Sequence, residues 1–504
     1  MSLPLAALAA PYDIRGDARI EITGITEDSR AVEPGALFVA ITGTADDGHK
    51  YIGDAIARGA TAVAAEQIAH VPAGVTAVQV PSARQALAIM AARFFGDPAR
   101  ELEIIGFTGT FGKTTTSEVL QQLLNAAGRR TCVVGSLGAR FEETSYEHRG
   151  MTTPSPVLLH GALRRMRDAG ADTVVMEVTS HALRLDRVHG LTFGGGLLAA
   201  IRPGEHIDFH RNYDDYVASK RLLLDYLAPG ALLAYDADNR AASAIARERA
   251  DVRDVGFSLR RTPIGGAAGD EERRDDNLRD RRIMPMADAA LDDRGALFTI
   301  DGVRVRSALL GRGNLRNVAL ALTFARQIGL PIADARAALA GLTALSRRME
   351  RYAIAGRTVL DDTAGHPESF GATFEVADLL PANRVVIAYA LRGSRGAEIN
   401  HRNAVSLAEH AQALGAQRTI VTEAADTAGA LDRVRPDEAA AAGRAFRERG
   451  LEPAWHETMK GAMEDAAAAT GPGDLIVLVG AQGMNAGRAA LVEALARSPE
   501  PRVL

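Results

Sequence analysis

Residues 106–116 read GFTGTFGKTTT, and the fold class turns on how that stretch is read. It ends as phosphate-binding loops end, with Gly112-Lys113-Thr114, yet it departs from the common pattern G-x-x-x-x-G-K-[ST]. Gly106 stands one position too early, and Phe107 occupies the place of the first glycine. Upstream, "LEIIGFTG" is an apolar strand running into the glycines. Downstream, "KTTTSEVLQQLLNAAG" has helical apolar spacing and closes on a glycine. A strand–loop–helix of this kind sets backbone N–H groups around an anion, at the positive end of a helix dipole. Lys113 would reach the outer phosphates and the Thr114 hydroxyl a Mg2+ ion, so the loop is expected to bind ATP.

Outward from the loop, strands "TCVVGS" and "TVVMEV" flank the helix "SPVLLHGALRRMRDAG". The repeated strand–helix order predicts a parallel sheet with crossover helices, an α/β fold. Before it, "ALFVAI", "TAVAAE" and "VTAVQV" alternate with the helical runs "YIGDAIARGA" and "ARQALAIMAARFF", a small α/β unit ending at "GDPAR". After the helix "NLRNVALALTFARQIG", a third α/β unit carries strands "TVLDDT", "RVVIAYA", "RTIVTE" and "DLIVLVGA". Three domains in series are expected, at 1–95, 96–345 and 346–504. The charge-rich, apolar-poor stretch 259–285 reads as a solvated loop, and no internal repeat is visible.

Composition narrows the function. A chain of 504 residues with 47% hydrophobic content and a mean hydropathy of -0.04 is an ordinary globular protein. A net charge of -5 gives no global attraction for nucleic acid or an anionic membrane. The single cysteine, Cys132, rules out an internal disulfide framework and suits a reducing cytoplasm. The start lacks a basic region and its apolar run is short, so no signal peptide is read there. No run of about 18 apolar residues occurs elsewhere, and no membrane insertion is expected. Of 58 basic residues only Lys50, Lys113, Lys220 and Lys460 are lysines. In such a chain a lysine more often than usual occupies a position where a compact or reactive amine is needed.

The motif Gly-x-Thr-Gly-Thr-x-Gly-Lys-Thr-Thr resembles the longer phosphate loop of the Mur ligase family, ATP-dependent ligases that join an amino acid to a carboxylate. Here Phe111 replaces the family's usual asparagine. Three further segments match in order and spacing. "MEVTSHAL" (176–183) ends a strand with Glu177, "EHIDFH" (205–210) offers His206, and "YVASKRLLL" carries Lys220, which matches the lysine that the family carbamylates. "GRGNLRN" supplies Asn314 and Asn317. "RRMER" (347–351) and "LDDTAGHPESF" (360–370) resemble the family's Gly-Arg-x-Glu and Asp-Tyr-Ala-His-x-Pro segments.

The resemblance implies a site. Thr108, Gly109, Thr110, Gly112, Lys113, Thr114 and Thr115 would hold the phosphates of ATP. Asn314 and Asn317 would meet adenine and ribose, and Arg348 with Asp362 (or its neighbour Asp361) would close on the nucleotide. Thr114, Glu177, His206 and carbamylated Lys220 would hold Mg2+, two ions in all. The resemblance places catalysis on Lys113, Glu177, His206, Lys220 and Arg348. An acceptor carboxylate would be phosphorylated and then attacked by an amino-acid amine, the third domain closing to exclude water.

Residues 24–66 resemble the nucleotide-sugar domain of the muramyl-tripeptide synthetase (MurE) type within this family. Ser29 and Arg30 would lie at the uridine-diphosphate end of a UDP-MurNAc-peptide. Thr152, Thr153, Thr179 and Arg187 would lie at its peptide end. Arg395 matches the arginine that meets the incoming amino acid. The departures gather on that side. "AADT" (424–427) replaces Asp-Asn-Pro-Arg, and "AQGMN" (481–485) replaces Gly-Lys-Gly-His-Glu, putting Asn485 where a glutamate would pair with a second amine. Both losses argue against diaminopimelate. Leu185 and Met151 depart from the usual acceptor-side glutamine and asparagine. The expectation is a MurE-like amide ligase, monomeric or weakly oligomeric, of atypical amino-acid specificity. A peptidoglycan ligase proper, a non-catalytic nucleotide-binding relic and a folate-type ligase remain open beside it.

Overall fold

The computed structural model describes residues 1–43, 46–147, 151–203, 209–259 and 283–497. Most of the charge-rich stretch 259–285 lies outside the described residues, as does His206. Contacts gather the chain into two compact units, one of 1–286 with 317–338 and one of 287–316 with 339–504. Residues 287–316, which the sequence placed in the central domain, cluster with the second unit.

The first unit holds two principal sheets. The smaller runs in the order Asp13–Arg15, Thr76–Gln79, Ala62–Ala65, Ala36–Ala40, Gly24–Thr26, parallel except for its first pair. The larger has nine strands. Its centre is Thr131–Gly135, Thr173–Glu177, Glu103–Thr108, Phe193–Leu198 and Leu227–Asp236, each pair of neighbours parallel. A hairpin of Gly138–Phe141 and Thr144–Tyr146 adds an antiparallel edge. The central strands are buried on both faces and so are nearly all apolar, as parallel strands covered by helices must be. From Glu103–Thr108 the chain crosses to Thr131–Gly135 on one side, returns through Thr173–Glu177, and then passes to Phe193–Leu198 on the other. Glu103–Thr108 is therefore the switch point of the sheet, where open α/β sheets leave a crevice beyond their strand ends. The expected strand and helix around the phosphate loop stand at Glu103–Thr108 and Lys113–Ala126.

The second unit is built on a six-stranded sheet in the order Glu350–Ile354, Arg357–Asp362, Leu475–Val479, Val385–Ala390, Arg418–Thr422, Ala454–His456. Only the first pair is antiparallel. Alternation sets its two faces. Ile387 and Tyr389 pack with Phe370, Phe374 and Phe446, whereas Val386, Ala388 and Ala390 pack with Met459, Met463 and Leu491. A separate antiparallel meander of Ala287–Asp292, Gly295–Ile300 and Val303–Ser307, absent from the parallel-sheet expectation, belongs to this unit. Among the described residues no helix is long and apolar enough to cross a membrane.

Candidate active site

Beyond Thr108, whose side chain is fully buried, the chain turns through the glycines and enters the helix at Lys113. Gly112 has φ 79°, and a Cβ there would lie 2.0 Å from Asn317 Oδ1. Only glycine fits both the left-handed turn and that approach. Asn317 thus stands against the loop, while Asn314 belongs to the second unit and donates to the Leu310 carbonyl at 2.9 Å. Phe111 is exposed.

Two lysines meet at one carbonyl. Lys113 Nζ donates to Gly109 O at 3.0 Å and to Thr110 O at 3.2 Å, and the buried Lys220 donates to Gly109 O at 2.8 Å. Lys220 comes from the helix Tyr213–Arg221 and lies 4.6 Å over the Tyr216 ring. Tyr216 Oη donates to Thr110 Oγ1 at 3.2 Å, and Thr110 Oγ1 accepts the Arg202 N–H at 2.8 Å. These hydrogen bonds hold the loop in shape.

Glu177 ends its strand in the crevice beside the loop, its side chain buried. Thr114 Oγ1 donates to Glu177 Oε2 at 3.2 Å, and the Ser136 N–H donates to Glu177 Oε1 at 3.0 Å. Ser136 Oγ reaches Thr152 Oγ1 at 2.9 Å. A Cβ on Gly135 would sit 2.0 Å from Glu177 Oε1, so the glycine makes room for the carboxylate. Burial raises the Glu177 pKa, opposed by the nearby Lys113 charge. A buried carboxylate next to a threonine hydroxyl is an oxygen donor set that fits a hard divalent cation. Among the described residues no three His, Cys, Asp or Glu side chains converge at one point.

The acceptor-side residues adjoin this cluster. Thr153 Oγ1 donates to the Glu177 carbonyl at 2.8 Å and lies 3.3 Å from Thr179 Oγ1. Arg187 donates to Thr153 O at 2.9 Å. Burial lowers the Arg187 pKa, with Arg84 acting in the same direction and Glu27 against it. Ser29 begins the turn Ser29–Ala31, and Arg30 is exposed, paired with Asp28 at 2.9 Å. Thr115 is buried in the first turn of the loop's helix.

In the second unit Arg348 donates to Thr363 Oγ1 and lowers the pKa of Asp362 by its charge, although burial raises it on balance. Asp362 accepts from Thr373 Oγ1 at 2.6 Å and from the Met349 N–H at 3.1 Å. Asp361 pairs with Arg347 at 3.1 Å. Arg395 is exposed, on a loop whose N–H groups at 394, 395 and 396 all donate to the buried Glu438. Asn485 Oδ1 accepts from Arg347 at 2.5 Å.

Sequence reasoning missed Ser136, Tyr216 and Arg347. Ser136 had a signal, since it follows a glycine at the end of a strand whose neighbour ends in Glu177. It missed as well a buried chain in which His210 Nε2 lies 2.9 Å from Ser180 Oγ while His210 Nδ1 faces Asp215 at 3.6 Å. That chain ties Ser180–Arg184 to Tyr213–Arg221, the helix bearing Lys220.

The chain matches the Mur ligase family catalytic domain over residues 21–95, the Mur ligase middle domain over 107–325 and the Mur ligase glutamate ligase domain over 347–482. It is 37% identical, over 78% of its length and 76% of the relative's, to the UDP-N-acetylmuramoyl-L-alanyl-D-glutamate--2,6-diaminopimelate ligase of Chlorobaculum tepidum. To the UDP-N-acetylmuramyl-tripeptide synthetase of a Roseiflexus species it is 35% identical, over 74% of each chain. The solved structure of a UDP-N-acetylmuramoyl-L-alanyl-D-glutamate--2,6-diaminopimelate ligase shares the fold at a TM-score of 0.66, with 20% identity, over 99% of this chain and 100% of that one. MurF of Thermotoga maritima, in complex with ADP, does so at 0.61 with 18% identity, over 94% and 98%. The chain belongs to the Mur ligase family, the ATP-dependent ligases that form peptide bonds.

Proposed function

We propose that this ligase extends a UDP-MurNAc-dipeptide, or an acceptor of the same kind, by one amino acid that is not diaminopimelate. The observation that carries the reading is Glu177. Its carboxylate meets Thr114 of the phosphate loop and, through Ser136, Thr152, while its own carbonyl accepts from Thr153. One residue thus adjoins both the loop that would hold the nucleotide and the threonines that would meet the acceptor, which suits a phosphoryl transfer from ATP to an acceptor carboxylate.

The acceptor carboxylate oxygen attacks the terminal phosphorus of ATP and ADP leaves. The amine then attacks the acyl carbon, the C–O bond to phosphate breaks, and phosphate departs with its electron pair as the nitrogen gives up a proton. Lys113 and the loop N–H groups offset negative charge on the phosphates, and Arg187, Thr153 and Thr179 orient the acceptor. Mg2+, held by Thr114 and Glu177 and at a second position by His206 and carbamylated Lys220, would supply further charge neutralisation. Conversion of the buried Lys220 amine to a carbamate would be revealed by a labile CO2 adduct in native mass spectrometry. Arg348 and Asp362 would serve the nucleotide, and Arg395 would receive the incoming carboxylate. The reading places the work in the cytoplasm, where ATP and nucleotide-linked acceptors are found.

The test is phosphate release from ATP and Mg2+ with UDP-MurNAc-L-Ala-D-Glu and single amino acids. Release with one amino acid, and a product heavier by that residue, is the expected result. Silence across the panel while ATP still binds would move the acceptor outside this class.

A further inference from the structure

Arg347 stands at φ 57°, a left-handed backbone that a long side chain rarely adopts, and at the position where the family pattern has glycine. Its side chain turns inward and is only 9% exposed. Nε donates to Asp361 Oδ1 at 3.1 Å. Nη1 donates to Ala481 O at 2.9 Å and to Asn485 Oδ1 at 2.5 Å. Nη2 donates to Gly480 O and, at 3.5 Å, to Asp362 O. A guanidinium has five N–H groups, and here each has an acceptor.

Taken without Arg347, these acceptors form a cation receptor of three carbonyls, an amide oxygen and a carboxylate. It lies at the carboxyl ends of Arg357–Asp362 and Leu475–Val479, adjacent parallel strands. The next strand, Val385–Ala390, leads into the loop that carries Arg395. Charge is already balanced by Arg347 and Asp361, which explains why a neutral asparagine suffices at 485. Because every N–H is used, the guanidinium has none left for the carboxylate of an acidic side chain.

We propose that Arg347 is a specificity-determining residue. Its guanidinium fills the cation receptor beside the amino-acid site, so the enzyme selects an amino acid with an uncharged side chain and rejects those with a distal ammonium. This rests on the amino-acid site lying at Arg395 and Asn485, as proposed above.

The test uses the full chain with ADP and Mg2+, and calorimetric titration with alanine, serine, glutamate, lysine and meso-diaminopimelate, alongside the ligation assay. Wild type should bind an uncharged amino acid at least roughly 100-fold more tightly than either diamino acid. The Arg347→Gly/Asn485→Glu double variant empties the receptor and adds a carboxylate, and should gain affinity for diamino acids by a similar factor. Asn485→Glu alone should not, because Arg347 would pair with the new glutamate. Arg347→Lys keeps a cation in place and should stay closed to diamino acids, which separates occupancy from misfolding. Diamino acids binding wild type as tightly as the uncharged ones would overturn the proposal, as would a folded double variant that gains nothing. Correct amino-acid selectivity in binding with no ligation onto UDP-MurNAc-dipeptide would leave it standing and overturn the acceptor reading instead.

Discussion

At residue 112 the backbone has φ 79° and carries no side chain, and at residue 347 it has φ 57° and carries a guanidinium with five acceptors. Both positions lie in loops expected to face substrates. Gly112 keeps space open between the loop and Asn317, whereas Arg347 closes space among the strand ends of the second unit. On the proposed reading, the turn at Gly112 would leave room for the nucleotide, whereas the turn at Arg347 would take up room that a second amine could use. The nucleotide side would then work by leaving a side chain out and the amino-acid side by putting one in.

The comparison breaks first at Lys113. Lys113→Ala should lower ATP turnover by on the order of 1,000-fold, with the fold intact by circular dichroism. Unchanged nucleotide-linked behaviour would make the loop a scaffold rather than a catalyst. Arg395→Ala sharpens the other side: it should raise the amino-acid KM by roughly 10- to 100-fold and leave the KM for ATP alone. A parallel rise in both would place Arg395 outside the amino-acid site. Gly112→Ala combines a strained backbone with a contact at 2.0 Å to Asn317, and should weaken ADP binding by about 1–3 kcal/mol, read by calorimetry.

The smallest effect is a pH dependence on the filled side. Burial pushes the Asp361 pKa up from 3.8 to about 6 despite the neighbouring Arg347. A carboxyl with a raised folded pKa keeps its proton longer in the native state. Its contribution to stability is therefore greatest below about 4 and is lost as pH rises to about 6. The melting temperature of wild type relative to Asp361→Asn should fall across that window and level off above it. A difference that rises with pH would mean that the arginine, not burial, controls Asp361.

Much of this was legible in the sequence because the signals were local. The apolar runs at Glu103–Thr108 and Leu475–Val479, the capped helices and the glycine loop are each set by neighbouring residues. Strand order at the switch point then brings Glu177 to Thr114. The meander at 287–307 was missed although Asp301-Gly302, between alternating apolar residues, is a hairpin signal. A parallel-sheet reading of the surroundings hid it. Arg347 was not legible, since its meaning depends on carbonyls more than a hundred residues away, and nothing in "RRMER" says which arginine turns inward. The motif match pointed to Arg348, and the more deeply buried side chain is its neighbour.

The scarcity of lysine has a practical consequence. Lys220 is buried and Lys113 is bent onto its own loop, whereas Lys50 and Lys460 have side chains 69% and 62% exposed. One addressable side-chain amine therefore sits on the surface of each compact unit. Amine-reactive reagents read out by peptide mass spectrometry would therefore report on one lysine in each unit, without engineered cysteines.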